Sequence, residues 1–149
     1  MIRLATLEDI PAIAEMGERF HGEAGWEDIA GYSVEDCSIS LRQMIEGDLG
    51  IVIVAEDEGR IVGIAGGLIF PLYFNHAHKS GQELFWYVEP GRRDGLGRKL
   101  KTALEDEARK AACQSWTMIA LDKVSPEATG RLYRRDGYRA AEHSWIRRL

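Results

Sequence analysis

The stretch "VEPGRRDGLGRKL", residues 88–100, decides how the chain reads. It holds three glycines (Gly91, Gly95, Gly97) and four bases (Arg92, Arg93, Arg98, Lys99). A strand-like run, Glu83 to Val88, precedes it, and a helix-like run continues to about Ala112. The N-terminus of a helix exposes about four unpaired N–H groups and the positive end of the helix dipole. Glycines just before it let the backbone approach a bulky anion, because no Cβ intrudes. A diphosphate cradle is therefore one reading. A tight strand-to-helix turn with a solvated basic face is the other. The spacing does not give G-x-x-x-x-G-K-[ST], and the three glycines do not form G-x-G-x-x-G. Nucleoside-triphosphate hydrolysis and dinucleotide redox chemistry both lose support on that ground.

Downstream, Leu96, Leu100, Leu104, Ala108 and Ala111 form one helical stripe over 95–112. "WTMIAL" (116–121) predicts a fifth strand, and 126–135 a short helix ended by Gly137. Residues 138–140 and 143–149 predict two last short strands. Upstream, "IVIVAE" and "IVGIAGGLIF" flank Asp57-Glu58-Gly59, a hairpin pattern with strands at 51–56 and 61–70. "PLYFNHAHKSG" (71–81) reads as a long loop, and 82–88 as the fourth strand, opened by Glu83. Near the start, Ile2 to Thr6 predicts a strand. Thr6, Asp9 and Pro11 signal a helix start. Ile10, Ile13, Ala14, Gly17 and Phe20 give that helix its apolar face. "HGEAGWEDIAG" (21–31) reads as a loop. Ser33 caps a second helix with Val34, Cys37, Leu41, Met44 and Ile45 on one side, ended by Gly47. The order β-α-α-β-β-β-α-β-α-β-β is a mixed α/β pattern.

No repeat or low-complexity tract interrupts the 149 residues, a length that suits one domain spanning 1–149. The apolar share of 45% with 29% charged residues is that of a soluble globular chain. No apolar run nears the roughly 20 residues a membrane span needs, and the start "MIRLATLEDIPAI" is not a secretory signal. Cys37 and Cys113 are too few and isolated for a disulfide framework or zinc site, so they read as reduced thiols. A cytoplasmic location follows as an expectation. The net charge of −5 hides an asymmetry: residues 1–62 hold 14 acids and 4 bases, residues 63–149 hold 10 acids and 15 bases. A basic second half suits an anionic ligand, while the acidic total argues against a general nucleic-acid binder. Arg131, Arg134, Arg135 and Arg139 read as a solvated helix face and the turn beside it.

Arg92-Arg93-Asp94-Gly95-Leu96-Gly97 resembles the (Q/R)-x-x-G-x-(G/A) motif of the GNAT acetyltransferase superfamily. Leu132-Tyr133-x-x-x-Gly137-Tyr138 is similar to the family's L-Y-x-x-x-G-(F/Y) segment, and about 36 residues separate Gly97 from Tyr133. The order of elements is also family-like, nearly end to end. The resemblance implies a mixed, mostly antiparallel sheet of six or seven strands flanked by about four helices. It implies that the fourth and fifth strands splay apart. It also implies an N-acetyltransferase moving an acetyl group from acetyl-CoA to a primary amine by direct attack in a ternary complex, in a chain able to form a homodimer. A non-catalytic acyl-CoA-binding module on the same scaffold is the alternative. Contacts to the cosubstrate are implied for Trp86, Tyr87 and Val88 of the fourth strand. They are also implied for Arg92, Arg93, Asp94, Gly95, Leu96, Gly97 and Arg98 of the turn. Pro126 and Thr129 stand where the family often has Asn and Ala, so a pantetheine contact made by that Asn is missing here.

Acetyl transfer to an amine needs a base for the ammonium proton, an N–H donor for the thioester oxygen and a proton source for the thiolate. The resemblance makes Tyr133 the acid and Glu83 the base, the latter acting through water. Strand alternation would set Glu83, Phe85 and Tyr87 on one face and Leu84, Trp86 and Val88 on the other. Beside aromatic rings the Glu83 carboxyl would be desolvated and its pKa raised. An exposed strand-end Glu is the competing reading. The oxyanion donor implied is a backbone N–H near Tyr87 or Val88. For the acceptor, the resemblance points to 21–32 and 71–81, and so to Trp26, Tyr32 and His76. Glu23, Glu27 and Asp28 beside aromatics would suit a cationic amine. His76 and His78 form an H-x-H with no third ligand at a supporting spacing, so no metal is expected.

Overall fold

The β-rich runs on either side of residues 57–59 become the middle of a five-stranded sheet in order β1-β2-β3-β4-β5. The computed structural model describes residues 1–149. In it β1 (Ile2–Leu4) leads to α1 (Ile10–Ala24) and α2 (Val34–Glu46). Then come β2 (Gly50–Asp57), β3 (Arg60–Leu72), β4 (Asn75–Val88), α3 (Leu96–Lys110), β5 (Ser115–Thr117) and α4 (Pro126–Arg135). The first three strand pairs are antiparallel, and β4–β5 is parallel. Residues 51–55 of β2 are buried without alternation, as a strand covered on both faces requires. One face packs Val52, Val54, Ile64 and Tyr87 against Ile13, Met16, Leu41 and Met44 of α1 and α2. The other packs Ile51, Ile53, Val62 and Ala65 against Leu100, Leu104 and Ala108 of α3. The expected stripe of α3 is thus its sheet-facing side.

Local signals act at the start of α1. The Asp9 carboxylate accepts from the Thr6 N–H at 2.7 Å and binds Arg3 at 2.7 Å, which holds it below the usual carboxylate range. A 3-10 turn, Leu7–Asp9, intervenes before the helix proper.

Four expectations are corrected. The sheet has five strands, not six or seven, because residues 138–140 and 143–149 pair with nothing. Trp145 and Ile146 there are 94% and 62% exposed, so two apolar residues did not make a strand where no partner edge was engaged. Residues 71–81 are not a long loop: β3 and β4 run on to a tight turn at Tyr73-Phe74. Glu83 therefore lies inside β4, not at its start. Residues 21–24 complete α1, and Trp26–Asp28 form a 3-10 turn, so little of 21–31 is loop. The fifth strand spans Ser115–Thr117 only.

Lys101, 1% exposed, is a buried charge inside α3. It binds Glu105 at 2.6 Å and Asp136 at 3.0 Å, and Tyr138 donates to Glu105 at 2.6 Å. This network fastens the end of α4 to α3. No helix is long and apolar enough to cross a membrane.

The tightest backbone approach is at Gly67, where a Cβ would lie 2.3 Å from the Gln82 carbonyl oxygen and 2.8 Å from the Trp116 ring. Gly67→Ala should lower stability by about 1–3 kcal/mol, as overpacked sites do. Gly31→Ala, with nothing within 4 Å of the added carbon, should change it by less than about 0.5 kcal/mol. Urea unfolding of the two variants checks the pair of outcomes.

Candidate active site

The β4–β5 ladder lasts three positions: Ser80 opposite Ser115, Gly81 opposite Trp116, Gln82 opposite Thr117. Beyond it β4 continues to Val88 while the other chain leaves, so a fork opens. Main-chain groups at a fork still need partners. Glu83 Oε2 accepts from the Ile119 N–H at 3.0 Å, and the Tyr133 hydroxyl donates to the Ile119 carbonyl at 2.7 Å. Two side chains thus replace the missing ladder, and the two expected chemical residues meet at the main chain of Ile119.

The face expected for Glu83 is corrected by a β-bulge. Gly66 pairs with Phe85 and Gly67 with Glu83, leaving Leu84 as the extra residue. Alternation restarts there. Glu83, opposite Gly67, shares a face with Trp86 and Val88, opposite Ala65 and Gly63. Phe85 and Tyr87 join the α1–α2 side instead. Glu83 is 4% exposed. Burial pushes its carboxyl up to about 7, and the Ile119 N–H pulls it back only in part. No ion pair involves it. Tyr133 is buried too, its ring centroid 6.2 Å from that of Trp86 and 5.5 Å from that of Tyr138. Burial first, then the Glu83 charge, raise its pKa above the ordinary phenol value, so it stays protonated.

At the mouth of the fork lies the glycine turn. Gly95 has φ of 88°, a left-handed conformation that favours glycine. The first helical bond of the turn is Lys99 N–H to Gly95 O at 3.2 Å, which leaves the N–H groups of Leu96, Gly97 and Arg98 without intrahelical acceptors. The Trp86 indole N–H donates to Gly97 O at 2.9 Å and seats the turn on β4. The arginines face carboxylates: Arg92 binds Asp57 at 2.7 Å, Arg93 binds Glu23 at 2.8 Å and Arg98 binds Asp136 at 3.3 Å. Asp94 is exposed. At the end of β4, Glu89 N–H donates to Val62 O at 3.1 Å. Since main-chain groups alternate along a strand, the Trp86 and Val88 N–H groups point away from β3, and that of Tyr87 toward it.

Trp26 and Tyr32 share an open cavity of about 330 Å³ with His21, Ile29 and Asp36. His76 does not line it and sits exposed near the β3–β4 turn. Of the three acids expected there, Glu23 is bound to Arg93 and Tyr87, and Asp28 to Lys123 at 3.2 Å. Glu27 forms no ion pair. His78 Nε2 lies 2.9 Å from Ser115 Oγ, and no group of three or more potential metal ligands exists.

Sequence reasoning missed Ile119, Leu84 and the role of Glu23. The adjacent Gly66-Gly67 within a strand was the available sign of a bulge. The sequence reading put Glu23 in a loop, which hid its place at the end of a helix, and its partners lie 64 and 70 residues away.

Comparison with known proteins places the chain in a family. Residues 13–138 match the model of the acetyltransferase (GNAT) family. The uncharacterized N-acetyltransferase YjgM of Escherichia coli (strain K12) is 30% identical over 111 residues, 74% of this chain and 65% of that protein, so the match spans just under two thirds of the relative. A predicted acetyltransferase from Clostridium acetobutylicum, solved with acetyl-CoA, superposes with a TM-score of 0.78 at 19% identity, covering 100% of this chain and 95% of that one. A ribosomal-protein-alanine N-acetyltransferase from Brucella melitensis biovar Abortus 2308 gives 0.72 at 19% identity, covering 100% and 99%. The family match covers most of the chain, and the chain belongs to the GNAT acetyltransferase family.

Proposed function

We propose that the chain moves an acetyl group from acetyl-CoA to a primary amine by direct attack in a ternary complex. The fork between β4 and the chain beyond β5 carries this reading: it is an extended slot with unpaired N–H groups at its mouth and one acid and one phenol at its root. The diphosphate binds the N–H groups of Leu96, Gly97 and Arg98 at the positive end of α3. The pantetheine arm runs along Trp86, Tyr87 and Val88. The Trp86 and Val88 N–H groups, pointing into the slot, are the donors available to the arm and to the thioester oxygen.

The amine nitrogen attacks the thioester carbon, and the C–S bond breaks as the intermediate collapses. Glu83, ionised above about 7, takes the ammonium proton, directly or through one water. Tyr133 turns from the Ile119 carbonyl to the departing sulfur and donates to it. The acceptor enters from the α1–α2 side, where Trp26 and Tyr32 offer ring faces to a cation and Asp36 a carboxylate.

Thiol release from acetyl-CoA across a panel of primary amines tests the reading as a whole; no release with any amine sinks it. For the acid, Tyr133→Phe should cut turnover at least about tenfold and leave acetyl-CoA affinity within about twofold. Unchanged turnover removes Tyr133 from the role.

Glu83 makes two linked predictions. Activity should rise with pH through about 7, and Glu83→Gln should abolish that limb in a pH–rate profile. The folded carboxyl titrates above its usual 4.5, so between that value and about 7 the folded chain holds more protons than the unfolded one. Stability therefore falls as pH rises through this window. In urea titrations at several pH values, Glu83→Gln should lack that fall.

A further inference from the structure

Glu23 stands where local rules disfavour it. It is the second-last residue of α1, and a negative charge near a helix C-terminus opposes the dipole. A residue that breaks a local rule calls for a tertiary reason. Here the reason is visible. Glu23 Oε1 accepts from the Tyr87 hydroxyl at 2.8 Å, and Oε2 from an Arg93 terminal nitrogen at 2.8 Å. Arg93 Nε in turn donates to the Val88 carbonyl at 2.9 Å, and its guanidinium carbon sits 5.4 Å from the Tyr87 ring centroid. The contacts close a ring through α1, the last two residues of β4 and the turn before α3.

We infer that Glu23 is a positioning residue for cosubstrate binding: it holds Arg93 against Val88 and so fixes the end of β4 and the glycine turn as one unit. The inference rests on the acetyl-CoA reading above. It also gives Arg93 a different task from the direct phosphate contact expected of it. The guanidinium is spent on a main-chain carbonyl, an aromatic face and a carboxylate. Both sets of free N–H groups, at Val88 and at 96–98, hang from this clamp. The geometry of those donors decides affinity, because an N–H group a fraction of an ångström out of line forfeits much of its bond. Burial would push the Glu23 carboxyl up, but Arg93 and Tyr87 outweigh it and hold it below the usual range, so it stays a carboxylate at neutral pH. Its side chain is 38% exposed, so the clamp lies at the rim of the fold and its loss leaves the core in place.

The test is calorimetric titration of acetyl-CoA into wild type, Glu23→Gln, Arg93→Gln and the double variant, with thermal melts on each. Glu23→Gln should weaken binding about tenfold, or about 1.4 kcal/mol, with a melting temperature within a few degrees of wild type. The double variant should bind within about twofold of the weaker single variant, since both changes break one device. The rival assignment, Arg93 as a direct phosphate ligand, predicts the opposite sign: freeing Arg93 from Glu23 would leave affinity unchanged or improve it. Wild-type binding with equal or tighter binding by Glu23→Gln overturns the inference alone. Multiplying losses in the double variant overturn it as well. If wild type itself shows no binding, the cosubstrate reading falls, and this inference with it.

Discussion

A buried peptide group must keep its hydrogen bonds even where a sheet comes apart, and that constraint shapes this molecule. After Thr117 the chain leaves β4, yet Ile119 stays half-buried beside it. Glu83 takes its N–H and Tyr133 its carbonyl, each at a distance typical of a good bond. The opening is therefore a stable feature and not a frayed edge. An unsatisfied buried group would cost about 1–3 kcal/mol, so anything that enters the fork and draws either side chain away must supply a replacement. An extended ligand with amide groups can do so, because it presents the same donors and acceptors as a strand.

On the proposed reading, anion attraction in the turn rests on the main chain more than on the basic residues that made it conspicuous. Arg92, Arg93 and Arg98 are each within 3.3 Å of a carboxylate oxygen, while Lys99 forms no ion pair. These arginines hold the turn in shape from three sides: Asp57 of β2, Glu23 of α1 and Asp136 at the end of α4. What remains for a ligand is the end of α3, with three N–H groups aimed outward by a left-handed glycine. Such donors are fixed in place by the helix and lose little freedom on binding, unlike long side chains.

Much of the fold was legible because it is written in local chemistry. Thr6 and Asp9 gave the start of α1, the 3.6-residue stripe gave α3, and the apolar runs gave β2 and β3. Errors arose where a partner decides the outcome. Residues 71–81 carry Pro, Gly and histidines that suggest a loop, yet pairing between β3 and β4 overrides that composition. Residues 143–149 were expected to form a strand but meet no edge. Within the site, Glu83 and Tyr133 were singled out by the family resemblance, and the fold brings both to the main chain of Ile119. The face of Glu83 was misread, because one bulged residue inverts every assignment on its N-terminal side. Glu23 was beyond reach, since its meaning is set by contacts from distant parts of the chain.

The charges of the molecule sharpen the case for Glu83. Asp9, Glu23 and Asp136 each sit against an arginine or a lysine, and each is held below the usual carboxylate range. Glu83 is more deeply buried than any of them and has one N–H and no cation. A carboxylate in that position costs the fold free energy once it ionises. A glutamine oxygen could accept the same Ile119 N–H at no such cost, so the hydrogen bond does not explain the acid. What a carboxyl supplies there and an amide does not is a proton-accepting atom that changes state near neutral pH, at the root of a slot whose other wall carries a phenol that keeps its proton. Burial raises both pKa values, yet above about 7 the carboxyl is ionised while the phenol keeps its proton, and proton traffic across a breaking thioester needs one group of each kind.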